Sequence, residues 1–302
     1  MASQHTAGGQ LATVSYPDDV RFALASVFLF GALALPATAH AFCRTTTSKP
    51  TTGYNPAVSG CWTEGVPLAW SIDRVPYAVG SAASKQISLA DATRVADLAF
   101  SAWSGAQCSG KNVGIQAYDD GPIAVPTGLE GDALAGWASC SNSAACDAAA
   151  HDVLVFDDDA WPYSDPVNTL ALTTVTYGVD DGRIFEAYTE VNSAEQELTA
   201  TDPPPTGSSA YALQAILTHE AGHFLGLAHA TSTQAIMYAS YQPDAVALTS
   251  DDLDAICTVY PPQTAKSGGC NTSATGGAAT GGAVGLSLAA LAVVVGRRRR
   301  RA

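Results

Sequence analysis

The stretch HEAGHFLGLAH, residues 219–229, decides how the rest of the chain is read. His219 and His223 are four residues apart, so on a helix they leave the same face one turn from each other. Two imidazoles so placed can share one metal ion. Glu220 is the neighbour of His219 and within reach of a water on that ion. Gly226 can end the helix by taking a positive φ. The chain then turns back and offers His229 as a third ligand. Three protein ligands leave a fourth position open, which suits a catalytic zinc better than a structural one. A solvated polar face is the ordinary reading of two histidines around a glutamate. Here the helix is otherwise apolar, with Ala215, Ile216, Leu217, Ala221, Phe224, Leu225 and Leu227, and unpartnered polar groups would be costly to bury in it.

Working outward, the chain alternates strand and helix signals. PLAWSID (67–73), VGIQAYD (113–119) and DVLVFDD (152–158) read as strands. Residues 88–104 read as a helix with an apolar stripe and a capping pattern at Ser88 and Asp91. ALTTVTYGV and RIFEAYTEVN flank Asp180-Asp181-Gly182, a hairpin signal. A second helix is expected from Ser209 through the histidines. A third starts at the Thr249–Asp252 capping pattern and stops before Pro261. The order predicts an α+β fold, a mixed sheet packed against three main helices.

The motif over 219–229, with Met237 soon after it in AIMYASY, resembles the metzincin clan of zinc peptidases. Within the clan it is most similar to matrixins, the matrix-metalloproteinase-like group. The tyrosine after Met237 and the segment LTSDDLDAICTVYPP (248–262) carry that likeness. Astacins and serralysins can use a tyrosine two places after the methionine as a further ligand, and that place is Ala239 here. The resemblance implies a twisted mixed sheet, an active-site helix, a Met-turn at Met237 beneath the metal, and a closing C-terminal helix. It implies one catalytic Zn2+ on His219, His223 and His229, with Glu220 as general base for peptide-bond hydrolysis. It places Ala215, Tyr238, Ala239 and Tyr241 around the S1′ pocket, where a small residue at 215 implies a deep site for large apolar side chains. Substrate is expected as an extended strand beside RIFEAYTEVN (183–192). Matrixins usually have proline at the place of Ala239. They also carry a second zinc, which His151 alone would not support. A catalytically silent metzincin-fold surface binding protein is the alternative. The intact Glu220 and three histidines count against it, as a dead relative has no need of them.

The ends read as addresses. Residues 1–41 comprise a polar preface and a leader, RFALASVFLFGALALPATAHA (21–41), with cleavage expected before Phe42. Translation from Val20 would give that leader a normal start. Residues 42–266 are the expected peptidase domain. Residues 267–302 hold Cys270, a Gly/Ala-rich spacer, a short apolar run and Arg297–Arg301. That order is similar to the C-terminal sorting signals of myxobacterial surface proteins, which implies export and engagement of the membrane or of sorting machinery. Residues 42–270 hold 26 of the 28 acidic and 8 of the 14 basic side chains. Such a balance repels nucleic acid. The matrixin resemblance implies a protein or peptide substrate, and a monomer is expected. Asp157-Asp158-Asp159 and Asp180-Asp181 are candidate Ca2+ ligands, weighed against their commoner role as solvated turn positions. All seven cysteines follow the leader. With Cys270 in the tail, short loops favour Cys43–Cys61 and Cys140–Cys146, leaving Cys108–Cys257, among fifteen pairings of six cysteines.

Overall fold

The computed structural model describes residues 42–51, 53–129, 131–138 and 152–262. The expected leader, spacer and tail, with Cys140, Cys146, His151 and Cys270, lie outside the described residues. In chain order the elements are β1 (Cys43–Arg44), α1 (Pro56–Ser59), β2 (Ala69–Trp70), β3 (Arg74–Val79), α2 (Leu89–Ser104), β4 (Gln107–Cys108), β5 (Lys111–Asn112), β6 (Gln116–Asp119), α3 (Gly131–Ala138), β7 (Val153–Phe156), β8 (Ala171–Tyr177), β9 (Arg183–Val191), β10 (Leu198–Thr199), β11 (Tyr211–Ala212), α4 (Leu213–Phe224), β12 (Leu227–Ala228) and α5 (Ser250–Val259).

Six strands form the main sheet in the order β2-β9-β7-β3-β6, with β8 also on β9. All pairs are parallel except β8–β9, the predicted hairpin, which is antiparallel. The fold is thus α+β with a mixed sheet. One strand of this sheet was not foreseen. Pro76 speaks against a strand over 74–79, yet β3 forms there. Among the described residues it pairs along Arg74–Tyr77 only with β6 and meets β7 only at Ala78 and Val79, so Pro76 removes no bond from a doubly paired stretch.

Helices α2 and α4 pack together over the sheet. Ser88 caps α2 by accepting from Asp91 N at 3.1 Å, and the stripe Ala92, Val95, Ala96, Ala99 and Trp103 is fully buried. Phe100 meets Phe224 of α4 edge to face, with centroids 5.1 Å apart. Trp103 Nε1 donates to Thr218 O at 2.8 Å, joining the helices through a satisfied indole. The site helix starts at Leu213 rather than Ser209. Tyr211 and Ala212 are drawn into a short parallel ladder with Leu198 and Thr199, which overrides the helical pattern at those two positions. The Cys43–Cys61 and Cys108–Cys257 disulfides are formed, while Cys140–Cys146 falls outside the described residues.

Two carboxyls sit in this sheet without a cation among the causes acting on them. Asp152 accepts from Ala187 N at 2.8 Å. Burial pushes its pKa up to about 7. Burial, and then the charge of Asp152, push buried Glu186 up to about 7 as well. Raised pKa values mean the folded state holds protons that the unfolded chain has lost. The stabilisation is therefore complete below the unfolded values near 4 and is lost as pH rises through about 7. Glu186→Gln is expected to raise the melting temperature at pH 8 by a few degrees, roughly, and to change little at pH 4. Melting curves at the two pH values check this, and an equal shift at both would contradict it.

Candidate active site

Helix α4 carries His219 and His223 on one face, and their Nε2 atoms lie 3.1 Å apart. His219 Nδ1 is 2.8 Å from Ile236 O and His223 Nδ1 is 2.9 Å from Leu227 O. A carbonyl only accepts, so each Nδ1 carries the proton, and in the neutral ring this leaves Nε2 with a bare lone pair. Two lone pairs that close repel unless a cation lies between them. His229 completes the group: its ring centroid is 5.2 Å from that of His219 and 4.9 Å from that of His223. One ligand atom from each histidine falls within 4.8 Å of the others, the one such group among the described residues. Burial, followed by neighbouring histidine charge, holds His223 well below the imidazole range and lowers His229 to about 4. Both are neutral at physiological pH, the form a metal requires. The donor set, its tautomers and its burial therefore fit a zinc ion.

The turn that returns His229 needs Gly226, at φ +87°; a Cβ there would lie 2.8 Å from Leu68 O. Short strand β12 then pairs antiparallel with β1, Cys43 opposite Ala228, which braces the residue before His229.

Met237 lies beneath the helix, 2% exposed. A Cβ on Gly222 would meet its Sδ at 2.2 Å and Trp103 Cζ2 at 2.9 Å, so only glycine lets the helix settle this close. A glycine inside a strong helical pattern marks such a close approach. Ala230 N donates to Met237 O at 2.7 Å. Asp252, 1% exposed, accepts from Ile236 N at 2.9 Å and Met237 N at 3.4 Å. It also accepts from Thr249 N at 2.9 Å and Thr249 Oγ1 at 2.7 Å. The capping pattern read at Thr249 is thus present, and the same carboxylate holds the Met-turn backbone, a role no local pattern announces.

Glu220 is buried beside the histidines. Burial raises its carboxyl above the usual range, and the charge of His219 and the Thr173 hydroxyl offset this in part. Thr173 Oγ1 donates to Glu220 Oε2 at 2.6 Å. That oxygen has one proton, so the 2.8 Å contact with Thr189 is a donation from Thr189. Thr173 was not anticipated, since a lone threonine on a strand carries no signal.

A cavity of about 810 Å3 opens in front of the histidines. Ala215, Tyr238, Ala239 and Tyr241 all line it, as do His219, Glu220, His223 and His229. Tyr241 packs edge to face on Tyr211, with centroids 4.8 Å apart, and its hydroxyl accepts from Ala212 N at 2.9 Å. The strand beside this cavity is β8 rather than RIFEAYTEVN. β9 is interior, with β8 along one side and β7 and β2 on the other, and most of its residues are buried. Among the described residues β8 pairs only with β9, and it is half-buried throughout. The hairpin signal shows that two strands pair but not which arm is outermost. Of the acid clusters, Asp158 accepts from Ser84 Oγ and Lys85 N, each at 2.7 Å, and Asp159 pairs with Lys85 Nζ.

Residues 143–261 match the family model described as Matrixin. The chain is 31% identical over 106 residues to Metalloendoproteinase 1-MMP of Arabidopsis thaliana, covering 34% of this chain and 27% of that protein. It is 35% identical over 104 residues to Metalloendoproteinase 1 of Glycine max, 34% of this chain and 32% of that one. Against Interstitial collagenase of Bos taurus it is 47% identical over 53 residues, 17% and 11% of the two chains. The chain thus spans about a third or less of the length of these relatives. The matched stretch holds β7 to α4, the three histidines and α5, so the likeness to matrixins covers the second half of a metzincin-like α+β fold.

Proposed function

We propose that this chain is an exported zinc-dependent endopeptidase, with His219, His223 and His229 as metal ligands and Glu220 as general base. The observation that carries the reading is the convergence of the bare Nε2 lone pairs of His219 and His223, joined by neutral His229, beside a buried carboxylate. A zinc ion held there supplies a Lewis acid for the scissile carbonyl and lowers the pKa of a water toward roughly 7. Glu220 takes the proton of the attacking water on a carboxylate oxygen and returns it to the leaving amine. Thr173 keeps that carboxylate aimed by donating to Oε2. The carbonyls of Ile236 and Leu227 hold two ligand rings in the working tautomer.

The peptide lies extended along the free edge of β8 and adds a strand to the sheet. The side chain after the scissile bond enters the cavity past Ala215, between Tyr238, Ala239 and Tyr241, which favours large apolar groups. The leader-like segment and the two disulfides support export to an oxidising compartment. The tail then serves as a sorting address.

The purified protein is expected to cleave casein, to lose that activity on removal of metal by 1,10-phenanthroline, and to regain it with stoichiometric zinc but not with magnesium. Cleavage that survives complete metal removal would sink the reading.

A further inference from the structure

A second cavity, of about 470 Å3, adjoins the catalytic one and shares Thr45, Thr173, Val175 and His229 with it. Its outer wall is the stretch Cys43–Trp62, clipped on itself by the Cys43–Cys61 disulfide and ahead of the region that matches matrixins. The wall's chemistry is one-sided. Arg44, Lys49 and Trp62 line the cavity, and among the described residues no carboxylate does. Only eight basic side chains lie in residues 42–270 against 26 acidic ones, so two cations together without an acid run against the composition. Arg44 Nη2 donates to Leu68 O at 2.8 Å, but Arg44 Nε and Trp62 Nε1 are buried with no acceptor among the described residues. Lys49 is exposed and joins no ion pair among the described residues. Buried donors left unmet are costly, and an acceptor is what they lack. Tyr54 holds the Trp62 ring edge to face at 5.6 Å.

Strand β8 gives the cavity its place on the substrate. Ala171 and Leu172 line the catalytic cavity, Thr174 and Tyr177 the second one, and Thr173 and Val175 both. A peptide antiparallel to β8 runs its N-terminal half past Tyr177 and Thr174, then crosses the metal centre. We infer that the second cavity is a specificity subsite for an acidic side chain in the substrate stretch before the scissile bond. Arg44, Lys49 and Trp62 meet the carboxylate there. The inference rests on the endopeptidase reading above and deepens it.

The test uses zinc-loaded protein and short acetylated tripeptides ending in a hydroxamate, which anchors on the metal and leaves the three residues on the side before the scissile bond. Each position carries Glu or Gln in turn, and affinity is read by calorimetry without turnover. One Glu peptide is expected to bind about fivefold more tightly than its Gln partner. That ratio should fall toward one in Lys49→Gln and in 0.5 M salt. Trp62→Phe, which keeps the ring and removes the N–H, should weaken the Glu peptide selectively. Firm binding of every peptide with equal Glu and Gln affinities overturns the subsite and leaves the metal centre standing. So does a preference that persists in Lys49→Gln and Trp62→Phe. Failure of all the hydroxamates to bind, with casein uncleaved, removes both readings together.

Discussion

Glu220→Gln is expected to retain zinc and to lose cleavage of casein by at least about a thousandfold in kcat. Glutamine keeps the length and shape of the side chain and an oxygen that accepts from Thr173, so the 2.6 Å contact and the helix packing have reason to survive. What glutamine lacks is a basic oxygen. The amide has no useful affinity for a water proton at neutral pH, and the proton also has no donor to return from when the amine leaves. The three imidazoles are untouched, and their tautomers are set by Ile236 O and Leu227 O rather than by Glu220. Zinc content by elemental analysis should therefore match wild type. Near-wild-type cleavage with zinc in place would remove Glu220 from the mechanism. A dead variant that had also lost its zinc would make Glu220 a structural support of the site.

The legible parts of this site share one property: they are local along the chain. His219 and His223 lie one helical turn apart, Gly226 and His229 follow directly after the helix, and the α5 cap is set by Thr249 and Asp252 three residues apart. Helix period and capping chemistry read such spacings directly. The disulfide Cys108–Cys257 was reached by elimination across 149 residues, not by any local signal. The misreadings have the opposite character. That β8 and not β9 is the free edge depends on β7 and β2 arriving from elsewhere in the chain. The late start of α4 depends on residues 198–199 pairing with 211–212. Thr173 reaches Glu220 across 47 residues, and nothing in ALTTVTY distinguishes it from Thr174 or Thr176. RIFEAYTEV is buried on both faces over most of its length despite two glutamates, and continuous burial marks an interior strand. Reading it would have required knowing that Glu186 and Glu190 are buried, which their type argues against.

Asp252→Ala is expected to cost about 3 kcal/mol of stability, a fall of roughly 10 °C in melting temperature, and to weaken zinc binding about tenfold. The two effects have one cause. Asp252 accepts from Ile236 N, and Ile236 O in turn accepts from His219 Nδ1. One peptide unit on either side of Ile236 therefore links a buried carboxylate to the orientation of a ligand ring. Alanine leaves the N–H groups of Ile236 and Thr249 without an acceptor in a site where Asp252 was 1% exposed, and the turn carrying Met237 loses its hold on α5. Thr249→Ala separates this from ordinary helix capping. It removes the hydroxyl half of the box, for which about 1 kcal/mol is the usual cost, and keeps the Asp252 oxygen that accepts from Ile236 N. Melting curves and competitive zinc titration of both variants make the comparison. If Asp252→Ala lost no more than Thr249→Ala and held zinc as wild type does, the carboxylate would be a helix cap alone. The Met-turn would then be held by packing of Met237 against Gly222 and Trp103. A larger loss in Asp252→Ala on both measures assigns the ligand geometry to a hydrogen-bonded relay running from the closing helix through the Met-turn to His219.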